Sequence, residues 1–219
     1  MTDDFRRAVD VLRSGGTVAY PTDTVYGLGA NGLDPAAVGK VFAVKRRQAD
    51  APVPLLVADL AMLRSLAADL PEVGLALAQR YMPGPLTLVV KRAAHVPDEV
   101  TGGGPTVGLR IPDHPIPVAL AVALGGPIVG TSANLSGMPS AITAAEVRAQ
   151  LGGDVDCVLE GECWGKKEST VIDVTGATPS ILRKGALPEQ ELAEFLESLF
   201  RSAKLRTDLP ARGRGGEQR

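Results

Sequence analysis

Apolar residues Phe5, Ala8, Val9 and Leu12 recur at helical spacing, and Gly15-Gly16 ends that stretch. Residues 17–20 read as a short strand cut off by Pro21. Asp34-Pro35 then predicts a helix start, with the carboxylate as N-cap and proline in the first turn. That helix is expected to run to about Val44, leaving Lys45 and Arg47 at its C-terminal edge. Further strands are predicted at 53–57, 86–90, 107–111, 128–131, 155–159, 171–174 and 181–183. Helical patterns intervene at 60–69, 72–81, 115–124 and 143–151, the last opened by Thr143 and Glu146 at capping-box spacing. Pro188 starts a final helix whose Leu192, Phe195, Leu196, Leu199 and Phe200 share one face. Strands interleaved with helices predict an α/β domain. Several strands follow each other too closely for crossovers, so the sheet is expected to be mixed.

At 219 residues the chain can bury one large core. We therefore expect one domain over 1–187, a terminal helix over 188–203 and a tail over 204–219. The tail holds five basic and two acidic residues with no apolar period. We read it as disordered, with weak electrostatic contact with RNA as the alternative. Hydrophobic content of 45% and charged content of 22% are ordinary for a soluble globular protein. Aromatic content of 4% argues against a stacking platform for single-stranded nucleic acid. A net charge of −2 removes any global basic field, while leaving room for a local patch.

The acidic, amphipathic start does not read as a signal peptide, and no apolar run approaches a membrane span. A cytoplasmic protein without membrane contact is expected. Cys157 and Cys163 lack zinc-site partners and are expected to be free thiols.

Gly27-Leu-Gly29-Ala-Asn-Gly32 matches the dinucleotide fingerprint G-x-G-x-x-G, and Asp59 imitates its ribose-binding acid. The placement argues against it. The preceding strand ends at Pro21, and the following helix is capped only at Asp34, so no helix N-terminus meets the glycines. We read the glycines as permitting a tight turn and close backbone packing. No Walker-A sequence is present.

Thr22, Asp23, Thr24 and Tyr26 follow a predicted strand, where hydroxyls either bond their own turn or line a small-ligand pocket. Lys45 and Arg47 either offset a helix dipole or bind phosphate, with Arg as a planar fork and Lys as a point charge. Arg110 lies in the apolar run Val107-Gly-Leu-Arg-Ile111, where a buried guanidinium requires an anion. Thr131-Ser132-Ala133-Asn134 follows a short strand, where α/β sheets place ligand contacts. Ser132 lacks the G-x-S-x-G elbow of a hydrolase nucleophile. His95 and His114 are expected to be structural or solvent-facing. Ser169-Thr170 precedes one strand and Arg183 ends the next, so both can reach one cleft.

The segments AYPTDTVYGLGAN, Lys45-x-Arg47, YMPGPLTLVV, TVGLRIPDHP, GTSANLSG and STVIDVTGATPSILRKGAL occur in the order seen in YrdC-like proteins, the threonylcarbamoyl-adenylate synthases. The chain resembles the short form of that family over roughly 5–187. The resemblance implies a single YrdC-like α/β domain, a twisted mixed sheet with flanking helices, and a concave, positively lined cleft. It also implies condensation of L-threonine, bicarbonate and ATP to threonylcarbamoyl-AMP and pyrophosphate. A partner transferase then carries the group to tRNA.

By matched position, Thr24, Arg110, Ser132 and Ser169 would hold threonine. Lys45, Arg47, Thr106, Asn134 and Arg183 would surround ATP, with Lys45 and Arg47 as the catalytic pair. Mg²⁺ would bridge the phosphates, with protein ligands left unassigned. Two positions depart from the family: Gln48 stands where proline usually follows Lys-x-Arg, and 54–57 lacks a histidine that some members carry. A carbamoyl-adenylate-forming carbamoyltransferase module, or an RNA-binding module without turnover, are the competing readings.

Overall fold

The computed structural model describes residues 2–48 and 50–207. Its helices are α1 (Asp3–Arg13), α2 (Pro35–Lys45), α3 (Leu60–Leu66), α4 (Glu72–Tyr81), α5 (Asp98–Thr101), α6 (Pro115–Leu124), α7 (Ala144–Leu151) and α8 (Glu189–Thr207). Its strands are β1 (Val18–Tyr20), β2 (Gly27–Gly29), β3 (Leu55–Leu56), β4 (Ala67–Asp69), β5 (Leu86–Arg92) and β6 (Thr106–Arg110). The remainder are β7 (Ile128–Val129), β8 (Thr131–Ser132), β9 (Cys157–Val158), β10 (Thr170–Asp173) and β11 (Ser180–Arg183). Helix α8 runs four residues past its expected end at 203, and 208–219 of the expected tail lie outside the described residues.

Caps set the helix starts. The Asp34 carboxylate accepts from Ala36 N at 3.0 Å and Ala37 N at 3.3 Å, so α2 begins at Pro35 as its sequence requires. Thr143 Oγ1 accepts from Glu146 N at 3.2 Å, and the Glu146 carboxylate answers at Ile142 N, 2.7 Å. That is the capping box displaced by one residue.

The expected mixed α/β architecture is present, with its strands divided between two sheets. The smaller has the order β8-β2-β1-β9, parallel only between β1 and β9. The larger has the order β11-β10-β5-β6-β3-β7, with β4 added to the far end of β5. It is parallel at β10–β5 and β3–β6 and antiparallel elsewhere.

Three expectations change here. The 60–69 helix stops at Leu66, because Ala67 and Asp69 pair with Arg92 and Lys91 on β5 and tertiary pairing overrides an alanine-rich helical pattern. The 128–131 strand is two strands, and the chain changes sheet at Gly130, whose missing side chain admits Leu56 (an added Cβ would lie 2.5 Å from Leu56 Cγ).

Gly27 and Gly29 are strand residues rather than a tight turn. Close packing, the other half of their reading, does hold. The buried ring of Tyr20 covers both, so added Cβ atoms would lie 2.6 Å and 2.7 Å from it, and its hydroxyl donates to Val129 O at 2.6 Å.

The main core fills the space between the sheets and α2, α4, α7 and α8, and a second cluster lies under α1 and α6 around Leu12, Tyr20, Leu56 and Leu120. Among the described residues no helix is long and apolar enough to cross a membrane.

Candidate active site

Strand alternation builds one wall of a cavity of about 520 Å³. Thr87 and Val89 of β5, Gly108 and Arg110 of β6, Val171 of β10 and Arg183 of β11 all face it, while Leu86, Leu88, Val107, Leu109 and Ile172 point into the core. The opposite wall comes from the smaller sheet and its loops, with Thr22, Thr24, Tyr26, Gly27, Thr131, Ser132 and Asn134. Lys45 and Arg47 close one side from the end of α2. The site therefore lies between two sheets that only the tertiary fold brings face to face.

Arg110 is 6% exposed, and its guanidinium is held from three directions. Nε donates to Gly84 O at 3.0 Å, Nη1 to Thr24 Oγ1 at 3.1 Å and Nη2 to Asp23 Oδ1 at 2.5 Å. Asp23 is thus the anion that the buried arginine requires. Its other oxygen, Oδ2, has no hydrogen-bond partner among the described residues. Thr24 Oγ1 also meets Thr22 Oγ1 at 2.9 Å. Three of the five guanidinium N–H groups are engaged, and two remain for a ligand.

Lys45 is buried with all three of its N–H groups occupied. They go to the carbonyl of Ser132, to Asn134 O at 2.8 Å and to Asn134 Oδ1 at 3.2 Å. Burial first, and the neighbouring Arg47 second, lower its pKa to about 8. Asn134 Nδ2 in turn donates to Leu135 O at 3.0 Å and Met138 O at 2.6 Å. Lys45 and Asn134 therefore brace the 132–138 rim from within.

Arg47 donates to Pro52 O at 3.1 Å and Thr131 Oγ1 at 3.5 Å, and burial lowers its pKa. Arg183, at the mouth, holds Ser169 O at 2.9 Å and Ser169 Oγ at 3.2 Å. Partial burial lowers the Arg183 pKa, Glu168 opposes that, and Arg110 and Arg47 lower it further. The cations of this cavity feel one another, an electrostatic setting that favours an anionic ligand. Ser169 Oγ also meets Thr87 Oγ1 at 2.8 Å, deep beside Arg110.

Of the residues expected from sequence, Thr24, Lys45, Arg47, Arg110, Ser132, Asn134, Ser169 and Arg183 all line this one cavity. Thr106 does not. It shares a face with Gly108 and Arg110 but sits opposite Lys91, at the far end of β6, about 7 Å along the strand from Gly108. Sequence reasoning missed Thr87, Glu168 and the role of Asp23. A threonine inside the apolar run Leu86-Thr-Leu88 was the available signal for the first.

The bland readings of the remaining groups hold. His114 caps α6, its Nδ1 accepting from Ile116 N at 3.2 Å, and His95 is exposed. Cys157 and Cys163 are free, and burial raises both thiols, so neither is an activated nucleophile. No group of three or more His, Cys, Asp or Glu side chains among the described residues could cage a metal.

Comparison with known proteins converges on this architecture. The family model Sua5/yciO/yrdC, described as "Telomere recombination", matches residues 10–185. A threonylcarbamoyl-AMP synthase from Pyrococcus abyssi is 43% identical over 193 residues, which are 88% of this chain and 57% of that protein. A putative threonylcarbamoyl-AMP synthase from Mycobacterium tuberculosis is 37% identical over 190 residues, 86% of this chain and 87% of that protein. The crystal structure of Pyrococcus abyssi Sua5 complexed with L-threonine matches with a TM-score of 0.85 at 43% identity, over 88% of this chain and 57% of that one. The chain thus spans little more than half the length of the Pyrococcus protein.

Proposed function

Because the chain belongs to the Sua5/YciO/YrdC family, we propose that it condenses L-threonine, bicarbonate and ATP to threonylcarbamoyl-AMP and pyrophosphate. The observation that carries this reading is the composition of the cavity. Four cations, Lys45, Arg47, Arg110 and Arg183, line it with buried hydroxyls at Thr24, Thr87 and Ser169, and the one amine of lowered pKa, Lys45, is tied to Ser132 and Asn134. Such a site suits substrates that react with each other once positioned.

The bound threonine ammonium would lose a proton to solvent, and the free amine would attack the bicarbonate carbon, whose hydroxyl would leave as water to give a carbamate. A carbamate oxygen would then attack the α-phosphorus, and pyrophosphate would leave. The two remaining N–H groups of Arg110 would hold the amino-acid carboxylate beside Ser169 and Thr24. Arg47 and Arg183 would take phosphate oxygens, stabilising charge as it moves to pyrophosphate. Lys45 would contribute its charge to the same end while keeping the 132–138 rim in place. Ser132 and Asn134 would meet the substrates from that rim. Mg²⁺ would arrive on the triphosphate, held by phosphate oxygens and water, since no acidic cage occurs among the described residues. The product, a reactive mixed anhydride, would be consumed by a transferase acting on tRNA.

Purified protein given ATP, Mg²⁺ and labelled bicarbonate should release pyrophosphate only when L-threonine is added, and other amino acids should support it poorly. Release that ignores threonine, or carbamoyl-AMP formed from carbamoyl phosphate alone, would overturn the assignment.

A further inference from the structure

The cavity contains one feature that its anionic substrates do not explain. Among the described residues, its lining holds four cations and a single carboxylate, Glu168. A carboxylate facing triphosphate or bicarbonate is repelled by both, so its presence there calls for a positive or hydrogen-bond-donating ligand.

Glu168 is also held in place with care. Its Oε1 accepts from the hydroxyl of Ser140. Its main-chain carbonyl accepts from Ala186 N at 2.8 Å. That bond depends on the 184–187 segment lying directly on the strand. Gly185 permits the approach, since an added Cβ would lie 2.2 Å from the carbonyl carbon of Ser169. The Ser140 hydrogen bond, then its own main-chain N–H and Arg183, keep the carboxyl below its usual range against the opposing effect of burial.

Despite that cationic company, Glu168 forms no ion pair within 4.0 Å among the described residues. Arg183 lies nearby, but its guanidinium is turned to Ser169 O and Oγ. The result is an anchored carboxylate that feels Arg183 and Lys167 but is ion-paired to neither, one residue from the serine that meets Thr87 beside Arg110.

Of the three substrates proposed above, only the amino acid carries a cation. We propose that Glu168 binds the α-ammonium of the amino-acid substrate. With Arg110 taking the carboxylate, the two would form a matched pair for a zwitterion. The pairing would fix which end of the amino acid faces the incoming carbon, and would reject carboxylic acids that lack the amine. This rests on the threonine reading of the site.

The test is a comparison of two ligands on two proteins by calorimetry, with no turnover needed. L-Threonine and (R)-3-hydroxybutyrate share the carboxylate and hydroxyl and differ in the ammonium. Wild-type protein should prefer threonine, and Glu168→Gln should lose roughly 10- to 100-fold of that preference, the range of a hydrogen bond to a charged group. The 3-hydroxybutyrate affinity should stay within about threefold, a difference too small to be a lost charge-assisted bond. Glu168→Asp, which keeps the charge, should retain part of the preference, and the melting temperatures will show that all variants fold.

Equal weakening of both ligands would overturn the proposal and leave Glu168 as a brace for the wall. Unchanged threonine binding with altered ATP or Mg²⁺ dependence would overturn it in favour of a nucleotide role. If wild-type protein bound no threonine at all, the substrate reading itself would fall, and the inference with it.

Discussion

Arg110 shows what a single residue can and cannot announce. An arginine inside Val107-Gly-Leu-Arg-Ile111 demands a buried anion by solvation energy alone, and that much is legible in the sequence. Its partner is Asp23, 87 positions away, and no local pattern connects the two. Both side chains are 7% exposed, so removing one leaves an uncompensated charge in the interior. Asp23→Ala should therefore lower unfolding free energy by about 3–5 kcal/mol, read by urea denaturation. The double replacement Asp23→Leu with Arg110→Met should cost much less stability, while still failing to bind threonine. Lys45 makes a related point. Its placement at the end of α2 was legible, but the three oxygens that occupy its ammonium come from 132–134 and required the fold.

Among elements, helices with chemical punctuation were the easiest to read. Asp34-Pro35 gave the start of α2, and Thr143 gave the cap of α7. Short strands were harder, because two or three residues carry no period. Gly27–Gly29 has no side-chain pattern to mark it as a strand, and it forms because β1 and β8 pair with it on both edges. Its glycines serve the ring of Tyr20. An added Cβ at Gly29 would lie 2.7 Å from Tyr20 Cε1 and 2.7 Å from Val129 O, and the backbone oxygen cannot swing aside. Gly29→Ala should destabilise the protein by about 1–3 kcal/mol through overpacking, measured by denaturant midpoint. Adding Tyr20→Leu should relieve only the ring contact and recover part of that loss. The same scale explains why 128–131 read as one strand. Ile128, Val129 and Thr131 are strand-like, and the change of sheet at the intervening Gly130 depends on Leu56 from elsewhere in the chain.

At the scale of the molecule, net charge and local charge point in opposite directions. The chain carries −2 overall, yet four cations and one carboxylate line its cavity. Arg110 and Arg47 lower the Arg183 pKa by repulsion, which an anionic ligand would offset. ATP with Mg²⁺ at about a hundred times its dissociation constant should raise stability by about 2.7 kcal/mol, or roughly 5–10 °C in melting temperature. Differential scanning fluorimetry over an ATP series checks it, and no shift at saturating ATP would contradict nucleotide binding in this cavity. The sequence by itself determined the α/β class, the capped helices, the ordered motifs of the family and eight of the residues that meet in the site. These are local properties, set by periodicity, capping chemistry and the cost of burying charge. The tertiary structure alone decided that the strands form two sheets, that Thr106 stands apart, that Asp23 answers Arg110, and that Glu168 faces the cavity. Each of these depends on contacts between segments far apart in sequence, where only packing chooses the partner.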